Sequence, residues 1–306
     1  MGQSHGFDNT VVIGKESSFG TPATSFKWIG IVESFDPSES HNVDSRKAVG
    51  VRAPFMLRQG QREVDGSLSV ALQNARLFAY ALGKVATSSS GGGNEHVITP
   101  IGKGEELPSL TVQNSNPAHN LTRNYVGGKV DSLSLSASSG EAVTVDADIQ
   151  FTHVEDEGIT PATVTAELDN YFMFYEGSVK VNNSDVADIT SFDLEIANNL
   201  DRRFTLNGQN KPARIEEGNL DITASLTMDF TNKTQWDIFK NGETVAIELN
   251  LVDVADPNHS LRVTLTGGLY DSNSLNVGAE DLQEQELDAI FTDIEIVAVD
   301  GNAELI

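Results

Sequence analysis

Apolar and polar residues alternate along most of the informative stretches of this chain. The alternation has a period of two over residues 130–135, 143–149 and 220–228, and a less regular form over 290–296. Such a period places successive side chains on opposite faces of an extended backbone, with one face buried. These stretches therefore predict half-buried β-strands in both halves of the chain.

Each half also contains one short segment that is typical of a helix. Asn74 precedes the largely apolar residues 75–82 and Gly83 follows them, while Asn232 precedes residues 233–240 and Gly242 comes soon after. Asn is favoured at the position before a helix, and Gly is favoured just past its end. The prediction is a mainly β protein in which each half is a β-sandwich or barrel with one flanking α-helix.

The second half of the chain repeats the first. Residues 127–151 align with residues 267–291 without a gap at an offset of 140, and eight of the 25 positions are identical. The identical pairs are Gly127/Gly267, Gly128/Gly268, Asp131/Asp271, Ser132/Ser272, Ser134/Ser274, Leu135/Leu275, Asp148/Asp288 and Phe151/Phe291. A period this long predicts two copies of one domain rather than a solenoid array.

The offset between the copies changes further upstream. The tripeptide Ser-Phe-Asp at 34–36 recurs at 191–193, an offset of 157, and Asn74 recurs as Asn232 at an offset of 158. The fall to 140 requires 18 extra residues in the first copy. The Ser/Gly run at 86–95 is predicted to be that insert, as a flexible polar segment. An acidic run before Pro161 marks the predicted boundary, which gives modules at residues 1–160 and 161–306.

Length and composition fit two folded domains. The 306 residues are 39% apolar, enough for a core in each half, and no apolar run is long enough to span a bilayer. The first residues lack the apolar segment of a signal peptide, so neither export nor membrane insertion is expected. The absence of cysteine excludes disulfides and thiolate-bound metal sites. No cofactor is expected.

The chain is strongly acidic, with a formal net charge of −25. That charge disfavours a protein that grips nucleic acid by neutralising phosphates, because such binding needs an excess of Lys and Arg. An acidic surface also suits high salt, where screening suppresses self-repulsion. A halophilic source and an ordinary acidic, soluble surface both account for the composition.

Basic residues are concentrated in two corresponding loops that contain no acid. Residues 46–62 and 202–214 together hold nine of the 20 basic residues, which leaves −34 on the rest of the chain. A cationic loop on an acidic body favours head-to-tail association with further copies. A solvated loop and a phosphate contact are the alternatives. The predicted subunit and ring contacts are Arg46, Lys47, Arg52, Arg58, Arg62, Arg202, Arg203, Lys211 and Arg214.

Several segments resemble, in their order and spacing, those of a known family. They are the opening run at 14–23 (Gly-Lys-Glu-Ser-Ser-Phe-Gly-Thr-Pro-Ala), residues 32–35, the loop ending near Arg62, the strand at 64–70, the helix from Asn74, and residues 108–112 and 125–133. With these segments the first half resembles the tail tube (major tail) proteins of long-tailed, siphovirus-like viruses of bacteria and archaea. The second half lacks the Gly-Thr-Pro opening of that pattern.

The resemblance implies a structural virion protein. Its fold would be a pair of packed β-sheets with one helix per module, six modules closing into a ring around a continuous barrel, and rings stacked into a tube. The long loop, here residues 46–62, would reach the neighbouring ring. Two modules per chain then predict trimeric rings with pseudo-sixfold symmetry. The alternative is a hexameric ring in which the second half of each chain lies outside the tube as a decoration.

The same resemblance implies the partners and the location. Further copies of the chain, other tail proteins at the tube ends and viral DNA in transit, without specific binding, are the expected partners. The expected location is the virion tail, assembled in the host cytoplasm. A predominantly acidic wall would let phosphates slide past without trapping them, although strand alternation does not say which acids face the lumen.

An enzyme is not expected. The six histidines show no metal-ligand spacing, and carboxylate pairs such as Asp146 and Asp148 carry little information in so acidic a chain. Acidic turns such as residues 155–157 lack the regular oxygen spacing of a calcium loop, so no metal site is predicted. An acidic cell-surface or adhesive β-sandwich protein is the alternative function, since it would share the acidity and the duplicated fold.

Overall fold

The computed structural model of the protein describes residues 4–90, 92–277 and 282–306. The first half contains strands β1 (Thr10–Lys15), β2 (Ile31–Ser40), β3 (Asp44–Arg46), β4 (Met56–Arg58), β5 (Glu63–Ala71), β6 (Gly83–Ser90), β7 (Gly93–Pro100), β8 (Leu110–Asn116), β9 (Leu121–Ser138), β10 (Thr144–Phe151) and β11 (His153–Glu155). The second contains β12 (Gly177–Val181), β13 (Ser184–Val186), β14 (Ile189–Ala197), β15 (Asp201–Arg203), β16 (Arg214–Glu216), β17 (Asp221–Asp229), β18 (Val245–Val252), β19 (Ser260–Leu275), β20 (Glu284–Phe291) and β21 (Asp293–Asp300). The prediction of a mainly β protein is confirmed.

Eight strands, four from each half, form one continuous antiparallel sheet. Its order is β2-β5-β10-β9-β14-β17-β20-β19, so that the two halves meet where β9 pairs with β14. Within the described residues, β2 and the end of β19 (269–275) each have one paired neighbour in this sheet. The sheet therefore ends in two strand edges that are open to pairing.

The long strands β9 and β19 each leave this sheet and enter a second one. The first part of β9 pairs with β8 and β11, and the first part of β19 lies between β18 and β21. The turn between the sheets falls at Gly127 and Gly267, whose φ angles are +67° and +66°. Since that conformation disfavours any side chain with a Cβ, these two repeated glycines are required by the bend.

The core lies between the eight-stranded sheet and the two outer sheets. Along β10, Val145, Ala147 and Ile149 are buried while Asp146 and Asp148 are exposed, as the alternation predicts. The side chains that face the core form one contiguous apolar cluster. The opposite face of the eight-stranded sheet therefore carries the polar half of the pattern.

Both predicted helices are present, each beginning one residue later than predicted. They are α1 (Arg76–Leu82) and α2 (Thr234–Asn241), and the side chains of Asn74 and Asn232 accept hydrogen bonds from the backbone N–H groups two residues on. Helix α2 flanks the fold, whereas every residue of α1 is buried. Within the described chain, no helix combines the length and apolarity of a membrane span.

The chain's last residues and the segment after the first half cover α1. Arg76, which is itself buried, donates to the carbonyl of Leu305 at 2.9 Å and pairs with Glu167 at 2.6 Å. A buried guanidinium requires such partners because its desolvation is costly. Sequence patterning gave no sign of this cover, since both partners lie far along the chain.

The Ser/Gly run at 86–95 does not form the flexible segment that its composition predicts. Residues 86–90 and 93–95 lie in a hairpin of β6 and β7, and β7 pairs with β21 of the second half; Gly91 lies outside the described residues. The hairpin is ordered by tertiary pairing, because its polar side chains supply little burial of their own. In the second half only residues 243 and 244 separate Gly242 from β18.

The two halves share their strand order and their irregularities. β2 and β14 each shift register, at Val32/Ser34 and Ile189/Ser191, against β5 and β17. β9 and β19 each bulge at the repeated residues Asp131 and Asp271. Bulges are specific features rather than accidents of pairing. The division into modules at residue 160 stays a prediction.

Candidate assembly surfaces

The joint between the two halves is a strand pairing fixed by side chains. β9 and β14 pair from Ser138 opposite Ser191 to Ser132 opposite Ala197. Ser136 Oγ donates to Asp193 Oδ1 at 2.6 Å across the joint, and the backbone N–H of Leu200 donates to Asp131 Oδ1 at 2.8 Å. The bulge at Asp131 thus presents its carboxylate to the segment between β14 and β15.

The hairpin that contains the second basic loop lies against the first half. We call residues 201–216, with strands β15 and β16, the second hairpin. Arg202 donates to the carbonyl of Val64 at 2.8 Å and pairs with Asp65. The backbone N–H of Arg62 donates to the carbonyl of Asn210 at 2.7 Å. The predicted contact residue Arg202 therefore joins the two halves of one chain.

An ion pair under the second hairpin anchors it further. Lys129 Nζ donates to the carbonyl of Ile215 at 2.9 Å and to Glu217 Oε1 at 2.6 Å, and Ile215 is only 1% exposed. Burial by itself raises the pKa of Glu217, but hydrogen bonds from Lys129 and from the backbone N–H of Leu107 outweigh it, so the pKa is lowered. The carboxylate is therefore held in its charged form at neutral pH.

The hairpin that contains most of the first basic loop is exposed. We call residues 44–58, with strands β3 and β4, the first hairpin; Ala48 is half-buried and its other side chains are exposed. It carries apolar as well as basic residues to solvent, and Leu57 is 65% exposed. The other large apolar side chains that it exposes are Val49, Val51, Phe55 and Met56. Exposed apolar groups this close together indicate a contact surface.

The nine predicted contact residues fall into two groups. Arg46, Arg62, Arg202, Arg203 and Arg214 each pair with an acid of the same chain, at Asp44, Glu39, Asp65, Asp201 and Glu216 respectively. Within the described residues, Lys47, Arg52, Arg58 and Lys211 have no acidic partner within 4.0 Å. Arg62 of the first loop lies against the second hairpin, and the contact of the nine residues with other rings stays a prediction.

The polar face of the eight-stranded sheet is lined by acids and hydroxyl groups. Its outward positions are mostly Asp, Glu, Ser and Thr, and Lys129, a base that shares the face, is covered by the second hairpin. The acids are Asp36, Glu63, Asp65, Asp146, Asp148, Asp193, Glu195, Asp221, Asp229, Glu284, Glu286 and Asp288. A face of this composition repels phosphate groups.

Cross-strand serines hold two repeated acids of this face in place. Ser67 and Ser132 both donate to Asp148, the second at 3.0 Å. Ser225 and Ser272 both donate to Asp288, the second at 2.5 Å. The bond from Ser225, followed by that from Ser272, lowers the pKa of Asp288. Hydroxyl donors thus stabilise the charged carboxylate.

One end of the acidic face is apolar. Leu269 and Ile290 lie directly opposite each other on β19 and β20 and are 50% and 53% exposed. In the first half the corresponding pair, at an offset of 140, is Lys129 and Gln150, and the second hairpin covers that lysine. The apolar pair is therefore the uncovered counterpart of a covered site.

Sequence reasoning missed a further repeated pair that fixes the base of each hairpin. Asn42 and Asn199 have positive φ, and the N–H groups of Gly60 and Gly218 donate to the carbonyls of residues 41 and 198 at 2.9 and 3.0 Å. A Cβ on either glycine would lie about 2.3 or 2.4 Å from the asparagine carbonyl. The identities at offsets 157 and 158 were the available signal. No signal in the sequence indicates that the first hairpin exposes apolar side chains, because a sequence does not show which surface a loop covers.

The opening segment is tied to the core by a buried acid. Glu16 accepts hydrogen bonds from the N–H of Gly127 at 2.7 Å, from Thr111 at 2.8 Å and from the N–H of Gly20 at 2.9 Å. Burial raises the pKa of Glu16, while these bonds oppose the rise. The Gly-Lys-Glu run of the opening segment therefore has a structural role beside the bend of β9.

In the described residues, no group of three or more His, Asp or Glu is placed to hold a metal ion.

Comparison with known proteins identifies a family to which the sequence of this chain is similar. No curated protein matches the sequence. The family model described as phage tail tube protein matches residues 6–290, nearly the whole chain. The chain therefore belongs to the phage tail tube protein family, a structural family of the virion tail whose members assemble into a tube with other tail proteins.

Proposed function

We propose that three copies of this chain close into a ring, that the rings stack into the tail tube, and that viral DNA passes through the lumen. One observation carries the proposal. Four strands of each half continue into one another at the β9–β14 joint, and the sheet then ends in two open edges. A sheet with complementary open edges closes by repeating the same joint between copies, which removes the edges.

In the proposed ring each chain supplies two tandem modules, residues 1–160 and 161–306. Shared strand order, two shared register shifts and the repeated glycine bend support it. Two modules in each of three chains give six modules per ring, with pseudo-sixfold symmetry. The second module contributes four strands to the common sheet, which disfavours its being an outer decoration.

The acidic face is proposed to line the lumen. Its carboxylates would keep DNA phosphates away from the wall, and its hydroxyl groups offer no fixed positive charge that would hold them. DNA would pass without specific binding. The opposite face of the sheet is excluded from this role because its side chains form the apolar core.

The basic hairpins are proposed to make contacts within and between rings. The second hairpin lies along the neighbouring module at its base, through Arg202, while its tip near Leu206 is exposed. The bases without acidic partners would meet the acidic body of the next ring. The net charge of −25 fits assembly in a host cytoplasm of high salt, so the proposal includes a halophilic host.

Native mass spectrometry and image reconstruction of the purified chain test this function. The expected result is a ring of three chains with threefold order and six similar modules around a lumen lined by β2, β5, β10 and their counterparts. A ring of six chains with true sixfold order would contradict the trimer. Dispersed monomers at every salt concentration would contradict self-assembly by this chain alone.

A further inference from the structure

The internal joint predicts, residue by residue, a second joint between copies. β14 corresponds to β2 at an offset of 157, and β9 corresponds to β19 at an offset of 140, with the register shifts in matching places. In the internal joint Glu195 lies opposite Ser134. The corresponding residues on the two open edges are Ser38 and Ser274. Asp193 accepts a hydrogen bond from Ser136. The corresponding residues are Asp36, which can again accept, and Asn276, whose side-chain amide can again donate, so the same bond is possible between two copies.

The surfaces beside the two open edges are complementary. Ile215 of the second hairpin is 1% exposed and its carbonyl accepts a hydrogen bond from Lys129 of the first half, whereas its counterpart Leu57 is 65% exposed. Leu57 and Ile215 hold the same place in their hairpins, opposite Ser45 and Arg202. The site that Ile215 covers contains Lys129, and its counterpart Leu269 is half exposed. The polar site at Lys129 is covered by the second hairpin of the same chain, whereas the apolar site at Leu269, beside the open edge, is not covered.

A third feature points to the same pairing. Ala137 of β9 is buried and lines an apolar cavity with Phe192 of β14. Its counterpart Val277 is 85% exposed beyond the end of β19, and a groove lined by Phe35 runs beside β2. Val277 of one copy would enter that groove on another copy, as Ala137 enters the cavity within the chain.

We infer that the first hairpin of one copy docks on Leu269 and Ile290 of the next copy, and that this contact sets β2 against β19 with Ser38 opposite Ser274. The inference rests on the proposed ring of three copies. The occupant of the apolar pair is thus a second copy of this chain, and Leu57 is the residue that covers it. The hairpin would then act as a clamp that selects one register among several that two polar strand edges allow.

Paired cysteines test the register, because the natural chain has none. Ser38→Cys with Ser274→Cys is expected to give reducible dimers and closed trimers on a denaturing gel, and no larger species. Ser34→Cys with Ser274→Cys is the matched control, since Ser34 lies four residues, roughly 13 Å, along the same strand and on the same face. Ser134→Cys with Glu195→Cys should form a disulfide within one chain and so calibrates the geometry of the joint.

The outcomes separate the register from the proposed ring. Native mass spectrometry shows whether each variant forms rings. If rings form and the Ser134/Glu195 cysteine pair gives its disulfide while the Ser38/Ser274 pair does not, the register is overturned and the ring is left intact. Stronger cross-linking by the Ser34/Ser274 pair would also overturn it. Failure of all variants and of the unmodified chain to form rings would overturn the ring and the register together.

A charge exchange tests the hairpin contact. Leu269→Lys should weaken ring formation by at least about tenfold, because it places an unpaired cation under the first hairpin. Adding Gln59→Glu should restore part of the loss, since Gln59 corresponds to Glu217 and the pair would recreate the ion pair of the internal joint. Leu168→Lys, at a leucine that is 96% exposed elsewhere, should have no effect. Loss of ring formation in Leu269→Lys without rescue by Gln59→Glu would overturn the proposed contact.

Discussion

At the residue scale, Asp288 shows how the acidic face keeps its charge. Ser225→Ala with Ser272→Ala should raise the pKa of Asp288 towards its ordinary value, because both hydroxyl groups donate to the carboxylate. A folded-state pKa below the unfolded one contributes stability above the unfolded pKa, and that contribution is lost as the pH falls through the folded value. The double variant should therefore lose less stability on acidification than the natural chain.

Carboxyl-carbon NMR titration of aspartate-labelled protein measures this pKa directly. Ser191→Ala is a suitable control, since Ser191 lies on the same face of the sheet but donates no hydrogen bond to Asp288. An unchanged pKa in the double variant would show that the two serines do not hold the charge.

The site residues themselves were only partly predictable. The basic residues of the two hairpins are visible in the sequence because charge segregates there, and Asp131 and Asp271 are visible as a repeat. The roles of Leu57 and Leu269 are not, because an apolar residue in a sequence carries no sign of whether its own chain or another copy covers it. That distinction required the covered counterpart, Ile215.

At the element scale, the bend of strand β19 depends on close packing of its backbone against the aromatic side chain of Phe291. A Cβ on Gly268 would lie 2.4 Å from the side chain of Phe291. Gly268→Ala should therefore destabilise the folded chain by about 1–3 kcal/mol, the usual cost of overpacking. Urea unfolding measures the loss, and Gly301→Ala, where a Cβ meets nothing within 4 Å, is the control. Equal stability of the two variants would show that β19 bends without this constraint.

Strands and helices that follow a local rule were predicted well. The alternation of β10 and the Asn and Gly that flank α1 depend only on neighbours in sequence. The β6–β7 hairpin broke such a rule, because a Ser/Gly run forms strands there through pairing with β21, about 200 residues away. Helix α1 is likewise buried by segments far along the chain, which include Glu167 and Leu305. What sequence patterning misses in this fold is contact between the two halves.

At the scale of the whole molecule, charge opposes the assembly that the sheet edges favour. The proposed ring of three copies would carry three times the net charge of −25, and its acidic faces would all point towards one lumen. Within one chain, Asp229 and Glu284 already lie directly opposite each other on β17 and β20. Like charges in that position are destabilising. If the ring forms as proposed, the free energy of strand pairing and apolar contact exceeds this repulsion, which depends on the surrounding ions.

Salt dependence decides which electrostatic effect dominates. The Debye screening length falls from about 10 Å at 0.1 M to about 3 Å at 1 M salt. Molar salt should therefore suppress the repulsion between acidic faces and raise the fraction of chains assembled into rings. Backbone pairing and the proposed Leu57 contact would not be weakened by added salt in the same way. Glu284→Gln with Glu286→Gln should lower the salt concentration needed, as native mass or sedimentation would show. Dissociation of rings as salt rises would instead mean that attraction between basic hairpins and acidic neighbours holds the assembly, and that the strand edges alone do not.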